Sequence, residues 1–345
     1  MNRRASLALH FGLEWGRLEH AETEAAPILS ARFASDFLTT MRPYLLFLSG
    51  ITGLVGLALA PAIPATVTIA LGLVFFLAYG FGQALTDCFQ TDTDSISSPY
   101  RPLVTGSIRR RDVLGVSLAA LLVSGAVLVA LHPANLALAG LEIAGLLTYT
   151  WMKRRWWGGP PHNAWIVALL VVMGYVTASG AAGAVVVWSA HLGWAAAASF
   201  LGYAAFVVSG YHKDVEADRV TGYRTLPVRF GRRVSARVSD ALSAGAVVCV
   251  AALVVSAPSF GRAAGLPAIV FLLAGAAAFV LAGTRLHRSH TDADAHPAIT
   301  LVVHAYVLTL AGAAAAWRPA WTPFLALFYV AFVVSLRARP CREQI

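Results

Sequence analysis

Along most of this chain, runs of about twenty residues with no charge alternate with short polar connections, the length with which a helix crosses a bilayer. Residues 65–85, ATVTIALGLVFFLAYGFGQAL, are typical. The pattern predicts ten such helices, at 44–60, 65–86, 112–131, 135–152, 164–183, 187–211, 238–257, 265–284, 298–316 and 320–336. An all-α, polytopic membrane protein follows. Residues 1–43 read as a cytoplasmic N-terminal arm, amphipathic or partly unstructured, because RRASLALHFGLEWGRLEHAETEAA has neither the unbroken apolar core nor the cleavage site of a signal peptide.

The polar connections carry an echo. After the second predicted helix comes DTDSISSPYRPLVTGSIRRRDV, and after the sixth comes DVEADRVTGYRTLPVRFGRRVS. Each has paired aspartates, then a Tyr-Arg pair (Tyr100-Arg101 and Tyr223-Arg224), then a glycine and a cluster of arginines. The membrane domain therefore reads as two pseudo-repeated halves, and repeat-built membrane proteins often place their site where the repeats meet. Both segments fall on the same face, from which they can close over one cavity from opposite sides.

Composition adds orientation and excludes one class of partner. The chain is 58% hydrophobic and only 12% charged, about half the charged fraction of soluble domains. With the N-terminus in the cytoplasm, all but Arg262 and Arg318 of the 26 Lys and Arg fall on the cytoplasmic side, the asymmetry of the positive-inside rule. The expected location is a bacterial inner membrane, with the N-terminus and both acidic segments cytoplasmic. The net charge of +9 reflects this topology and an anionic ligand. Nucleic acid is not an expected partner, because the basic residues sit in separate loops rather than in one stripe. Cys88, Cys249 and Cys341 show no metal-ligand or disulfide spacing and read as free thiols.

Helical spacing sorts the acidic residues. Gln83, Asp87, Gln90 and Asp94 share one face if the helix continues through them, while Asp92 points elsewhere unless the helix unwinds. Asp214 and Asp218 are four apart and share a face; Glu216 is turned away. Two carboxylate faces over one cavity make a hard, oxygen-rich site that suits Mg²⁺, which completes its shell with water and substrate phosphates. Arg101, Arg224, Arg229, Lys153 and Lys213 can bind the outer oxygens of a diphosphate. An apolar cavity beneath such a head group calls for a prenyl diphosphate, whose ionisation leaves an allylic cation that aromatic faces can stabilise.

The segments QALTDCFQTDTDSISSPYRPLVTG, LLTYTWMKRRWWG and GYHKDVEADRVTGYRTLPVRFG resemble the UbiA superfamily of intramembrane prenyltransferases, which includes chlorophyll synthase and quinone-pathway enzymes. The resemblance covers about residues 40–316 and places a transmembrane prenyltransferase domain at 44–316, with 317–345 a final hydrophobic segment and basic tail. It implies a bundle of nine to ten helices with two aspartate-rich motifs, roughly NxxxDxxxD and DxxxD, holding Mg²⁺. Asp214 and Asp218 match the second motif directly. In the first, aligning Gln83 and Asp87 leaves Thr91 where an aspartate belongs, whereas anchoring on Asp94 and PYRP puts Gln90 at the first aspartate. The favoured reading is an expanded motif in which Asp87 and Asp94 hold metal, Asp92 assists and Gln83 offers an amide oxygen. Asp87, Asp94, Asp214 and Asp218 are thus the expected catalytic residues. Arg101, Lys153 and Asn163 are expected by the same resemblance to contact the diphosphate.

Glu142, in the middle of LALAGLEIAGLL, is costly in a membrane and is expected to orient an acceptor, accept a proton or pair internally. Tyr149 is a candidate for the prenyl pocket, as is Trp151. Asp292 and Asp294 read as a solvated loop, His304 as an interior histidine, and Trp156-Trp157 as part of an aromatic belt. The expected reaction is Mg²⁺-dependent prenyl transfer to an aromatic acceptor. A membrane terpene cyclase using the same site is the alternative, and a transporter built from two halves is the non-enzymatic one.

Overall fold

The computed structural model describes residues 25–339, which are helical almost throughout. All ten hydrophobic segments form helices. In chain order the elements are α1 (Ala31–Met41), α2 (Leu46–Leu59), α3 (Ala65–Asp87), α4 (Thr91–Ser97), α5 (Pro102–Thr105), α6 (Arg110–Leu131), α7 (Asn135–Arg155) and α8 (Gly159–Ala181). They continue with α9 (Ala190–Gly210), α10 (Val215–Thr221), α11 (Leu226–Phe230), α12 (Arg232–Val255), α13 (Leu266–His287), α14 (His296–Trp317) and α15 (Thr322–Arg337).

Eight of these helices are long and apolar enough on their own to cross a membrane, and the bent pair α1 and Pro43–Leu59 makes a ninth. The remaining helix of spanning length, α7, carries Glu142 in its middle and Lys153, Arg154 and Arg155 in its last turn. The chain is an integral membrane protein. Part of the expected arm is ordered: α1 buries Phe33, Phe37, Thr40 and Met41 along one stripe and packs on α3 and α5. Ser30 caps it, its Oγ accepting the N–H of Phe33 at 3.1 Å. Residues 1–24 and 340–345, including Cys341, lie outside the described residues.

The inner layer is α2, α8, α9 and α14. The spanning windows of α8 and α14 are 78% and 83% buried, against 22% for α3 and 17% for α15, so the latter present most of their surface to lipid. Small residues let the inner helices touch. A Cβ on Gly56 would stand 2.1 Å from the carbonyl oxygen of Val171, and one on Gly174 would stand 2.6 Å from that of Gly53. The α2 and α8 backbones are therefore in direct contact, as small residues allow in membranes. A buried polar knot ties the two halves: Tyr306 Oη of α14 lies 2.7 Å from Thr52 Oγ1 of α2 and 2.9 Å from Ser199 Oγ of α9. His304 is satisfied by Tyr329 Oη at 2.9 Å. Cys88 and Cys249 are buried free thiols. Helices α4–α5 and α10–α11 lie side by side at one end of the bundle.

Candidate active site

Two acidic segments meet over one cavity. Helix α3 does not continue through Asp94, as its spacing predicted; it ends at Asp87, and α4 begins after Gln90. Thr, Asp and Ser crowd this stretch, and their side chains compete with the backbone ladder, so they favour helix ends over interiors. Asp92 and Asp94 then sit in the first turn of α4, where a helix dipole favours negative charge. Despite the break, Gln83, Asp87, Gln90 and Asp94 all line the same cavity.

The second segment repeats this geometry. Gln90 has φ −121°, ψ 14° and Asp214 has φ −116°, ψ 14°; each precedes a seven-residue helix. The N–H of Asp94 donates to the Gln90 carbonyl at 2.9 Å, and that of Asp218 to the Asp214 carbonyl at 2.7 Å. Seven residues beyond each inner aspartate stands the N-cap of the next short helix, Arg101 or Thr225, and each reaches back to it. Arg101 Nη1 is 2.5 Å from Asp94 Oδ2, and Thr225 Oγ1 donates to Asp218 Oδ2 at 3.0 Å. Gln90-Asp94 is thus the structural counterpart of Asp214-Asp218, an equivalence that agrees with anchoring the first motif on Asp94.

Lys153, at the end of α7, joins the two segments. Its Nζ lies 3.3 Å from Gln90 Oε1 and 3.3 Å from Asp218 Oδ1, above the rings of Tyr211 and Tyr223 at 5.0 and 4.9 Å. The segments also touch directly, through Thr93 and Thr221 hydroxyls 3.2 Å apart and through Tyr223 Oη, which donates to Asp92 at 3.3 Å.

The cavity has about 1070 Å³ of empty volume, its mouth included. Asp87, Asp94, Arg101, Lys213 and Asp214 stand at its mouth, and Leu146, Ile166, Leu170, Phe206 and Ile299 are among its apolar walls. Tyr149 and Asn163 line it too, as does Glu142. Asp218 lies fully buried behind the lining, paired with Lys153. Asp92 faces away, 2.7 Å from Arg154. Arg224 and Arg229 are exposed and do not line the cavity, and Trp151 faces outward beneath Arg155. Asp292 is no free loop residue: it pairs with Arg232 and accepts the N–H of Glu216 at 3.1 Å, holding the start of α10.

Sequence reasoning missed Arg42. Its guanidinium grips Asp87 with Nη2 at 2.8 and 3.1 Å from the two carboxylate oxygens, and Gln83 Nε2 donates to the same carboxylate at 2.6 Å. Arg42 adopts a left-handed backbone (φ 54°) where the chain turns into the first long helix. The signal was its Arg-Pro pair in MRPY, which echoes the one in YRPL around Arg101. Tyr79, Tyr203 and Tyr211 are further lining residues that no motif disclosed.

Charge is balanced around the mouth: Asp87, Asp94 and Asp214, with Asp218 buried behind the lining, lie among Arg42, Arg101, Lys153 and Lys213. Burial pushes the carboxyl of Asp94 up, against the pull of Arg101. Burial likewise pushes that of Asp218 up to about 6, against Lys153. Burial would raise Asp214 as well, but Lys213, Lys153 and Arg101 outweigh it and hold that carboxyl below its ordinary range. Among the described residues, no three metal-ligating side chains are gathered closely enough to hold an ion alone. The donor set fits Mg²⁺ arriving with a diphosphate, since this ion typically takes one or two carboxylates and completes its shell with phosphate oxygens and water.

Residues 49–303 match the model of the UbiA prenyltransferase family. The digeranylgeranylglyceryl phosphate synthase of Halobacterium salinarum is 30% identical over 53% of this chain and 63% of its own length. That of Methanopyrus kandleri is 26% identical over 66% of this chain and 76% of its own. The first of these matches thus covers somewhat less than two thirds of the relative. Among solved structures, a UbiA homolog from Aeropyrum pernix K1 superposes with a TM-score of 0.66 at 22% identity, over 77% of this chain and 96% of that one. A UbiA homolog from Archaeoglobus fulgidus bound to GPP and Mg²⁺ gives 0.57 at 20% identity, over 81% and 99%. These two share the fold.

Proposed function

The chain belongs to the UbiA prenyltransferase family, and on that premise we propose that it transfers a prenyl group from a prenyl diphosphate to an amphiphilic acceptor within the membrane. The observation that carries this reading is the position of Lys153, which bridges the two acidic segments at the mouth of a long apolar cavity. Arg42, Arg101, Lys153 and Lys213 hold the diphosphate, and Asp94 and Asp214, which line the cavity, hold Mg²⁺; Asp218 joins them once Lys153 turns from it to the diphosphate, with Asp87 and the amides of Gln83 and Gln90 beside them. Bound Mg²⁺ offsets the negative charge that builds on the departing diphosphate.

The bond between the first prenyl carbon and the diphosphate oxygen breaks, and both electrons leave with the diphosphate. Tyr149 and Tyr211, whose hydroxyls are 2.9 Å apart, offer π faces to the allylic cation. The surrounding helices keep water from capturing it. The acceptor supplies the electron pair for the new bond, and its proton passes to the released diphosphate, the nearest free anion.

We take the acceptor to be a glycerophosphate-type amphiphile rather than the aromatic compound expected from the sequence; what supports this is that the archaeal relatives are named for a glyceryl phosphate product. We place the mouth of the cavity on the cytoplasmic side, which supports delivery of a water-soluble head group and follows from the distribution of Lys and Arg. The test is to incubate the purified protein with prenyl diphosphates and Mg²⁺, adding either glycerophosphate lipids or phenols, and to follow diphosphate release and products by mass spectrometry. A prenylated glycerophosphate supports the reading. A prenylated phenol moves the acceptor back to the aromatic class, cyclic terpenes formed without acceptor indicate a cyclase, and intact substrate under every condition removes the enzymatic assignment.

A further inference from the structure

We infer that Glu142 sets the length of prenyl tail the cavity accepts. The inference rests on the prenyl diphosphate reading above and goes beyond it to one residue and one dimension of the substrate. Glu142, Leu146, Tyr149 and Lys153 follow one another at steps of four, three and four along α7, a spacing that returns to the same helix face. All four line the cavity, so this face measures depth. From Lys153 to Glu142 the helix rises about 16 Å at ~1.5 Å per residue. An isoprene repeat, four carbon–carbon bonds of about 1.5 Å each, spans about 5 Å when extended. Glu142 therefore meets the end of a tail of about three isoprene units whose head lies at Lys153.

The cavity changes character at that depth. A second, much narrower chamber continues beyond it between α3, α6, α7 and α8. Ala78, Glu142 and Leu170 border both chambers. The deeper one is lined by the apolar side chains of Phe75, Leu121, Leu128 and Met173, and the carboxyl of Glu142 stands at its entrance. Among the described residues the side chain of Glu142 has no hydrogen-bond or ion-pair partner. A hydrocarbon laid across an unpartnered carboxyl forfeits whatever hydration that group retains. A tail that stops short of Glu142 avoids that loss, and a longer one does not. The depth of Glu142, some three turns from the head, also places it too far from the reacting carbon to act on the acceptor.

The experiment measures binding, so it does not depend on the acceptor. The full chain in detergent with Mg²⁺ is titrated calorimetrically with the S-thiolodiphosphates of geranyl, farnesyl and geranylgeranyl chains, which resist ionisation. The wild type is expected to bind the three-unit analogue about tenfold more tightly than the four-unit one. Glu142→Ala, which joins the chambers, should bring that ratio to about threefold or less, whereas Glu142→Gln, which keeps bulk and polarity, should leave it near the wild-type value. Should Glu142→Ala fail to fold, as judged by thermal unfolding, Glu142→Leu carries the test, because it removes polarity while keeping bulk and should also lower the ratio. Equal binding of the two analogues by the wild type, or an unchanged ratio in the apolar variant, overturns the inference while leaving the prenyl diphosphate reading intact. If none of the three analogues binds, that reading falls and the inference with it.

Discussion

The two acidic segments follow nearly the same path. A long helix ends, a short break follows, a seven-residue helix opens with two carboxylates in its first turn, and an N-cap residue of the next short helix reaches back to the inner carboxylate. Around the shared inner aspartate, Asp94 or Asp218, their chemistry differs. Where the second segment has Asp214 the first has Gln90, and where the second caps with Thr225 the first caps with Arg101. Where the first has Asp87, gripped by Arg42, the second has Tyr211, whose ring lies under Lys153. The same fold of backbone thus serves two purposes. In the proposed reading the first segment, whose Asp87 and Asp94 are met by Arg42 and Arg101, suits phosphate oxygens, and the second, with Asp214 and Asp218, suits metal.

The most severe way to break this division is to remove the second pair. Asp214→Ala and Asp218→Ala should each lower Mg²⁺-dependent turnover by about 100- to 1000-fold, read as diphosphate release from a prenyl diphosphate; normal turnover in either variant would take the metal role away from this segment. Asp218→Ala should also lower the thermal unfolding midpoint more than Asp214→Ala does. It strands the buried ammonium of Lys153, and losing one partner of a buried pair costs about 3–5 kcal/mol.

The Tyr-Arg echo offers a sharper contrast. Arg101 points inward to Asp94 while Tyr100 is exposed, whereas Tyr223 points inward and Arg224 is exposed. Arg101→Ala should weaken diphosphate binding by about 30-fold or more, and Arg224→Ala should change it less than about twofold. Comparable losses in both variants, measured as KM for the prenyl diphosphate, would mean that the echo is functional as well as sequential.

Converting the first segment toward the second is a gain-of-affinity test. Gln90→Asp, at the counterpart of Asp214, should tighten Mn²⁺ binding about tenfold in the presence of inorganic diphosphate, by adding a charged oxygen; an unchanged electron-paramagnetic-resonance titration would show that Gln90 does not face the metal. The smallest effect expected is in the unmodified protein. Because the mouth is charge-balanced and holds no closed metal cage among the described residues, inorganic diphosphate should raise Mn²⁺ affinity about fivefold over the ion alone. Equal affinity with and without it would point to a site made by protein side chains only.

The comparison also explains which parts of the site were legible in the linear chain. The aspartate pairs stood out because charge is rare among uncharged runs, and their recurrence was visible in the letters. The inversion of the Tyr-Arg pairs was not. Tyr100 follows Asp94 by six residues and Tyr223 follows Asp218 by five, and that single residue decides which of the two turns inward. Arg42 escaped notice because its partner Asp87 is 45 residues away, with the first long helix and the return along α3 between them. Arg224 and Arg229 were expected at the diphosphate because they are near the aspartates in sequence, but the tight turns after α10 carry them to the surface.

Hydrophobic runs and the doubled acidic motif determined by themselves that this is a helical membrane protein with its two acidic segments at one end of the bundle. Those properties are local, since a segment's partition into lipid depends on its own side chains. Tertiary structure chose between the two alignments of the first motif, putting Gln90 in the place of an aspartate, and alone decided that Lys153 bridges the two segments and that Glu142 stands between two chambers. Each of these depends on which helix faces which, and in a membrane that choice rests on close backbone contacts such as Gly56 against Val171 and on a few buried polar bonds. Such contacts join residues far apart in the chain, and no spacing along it records them.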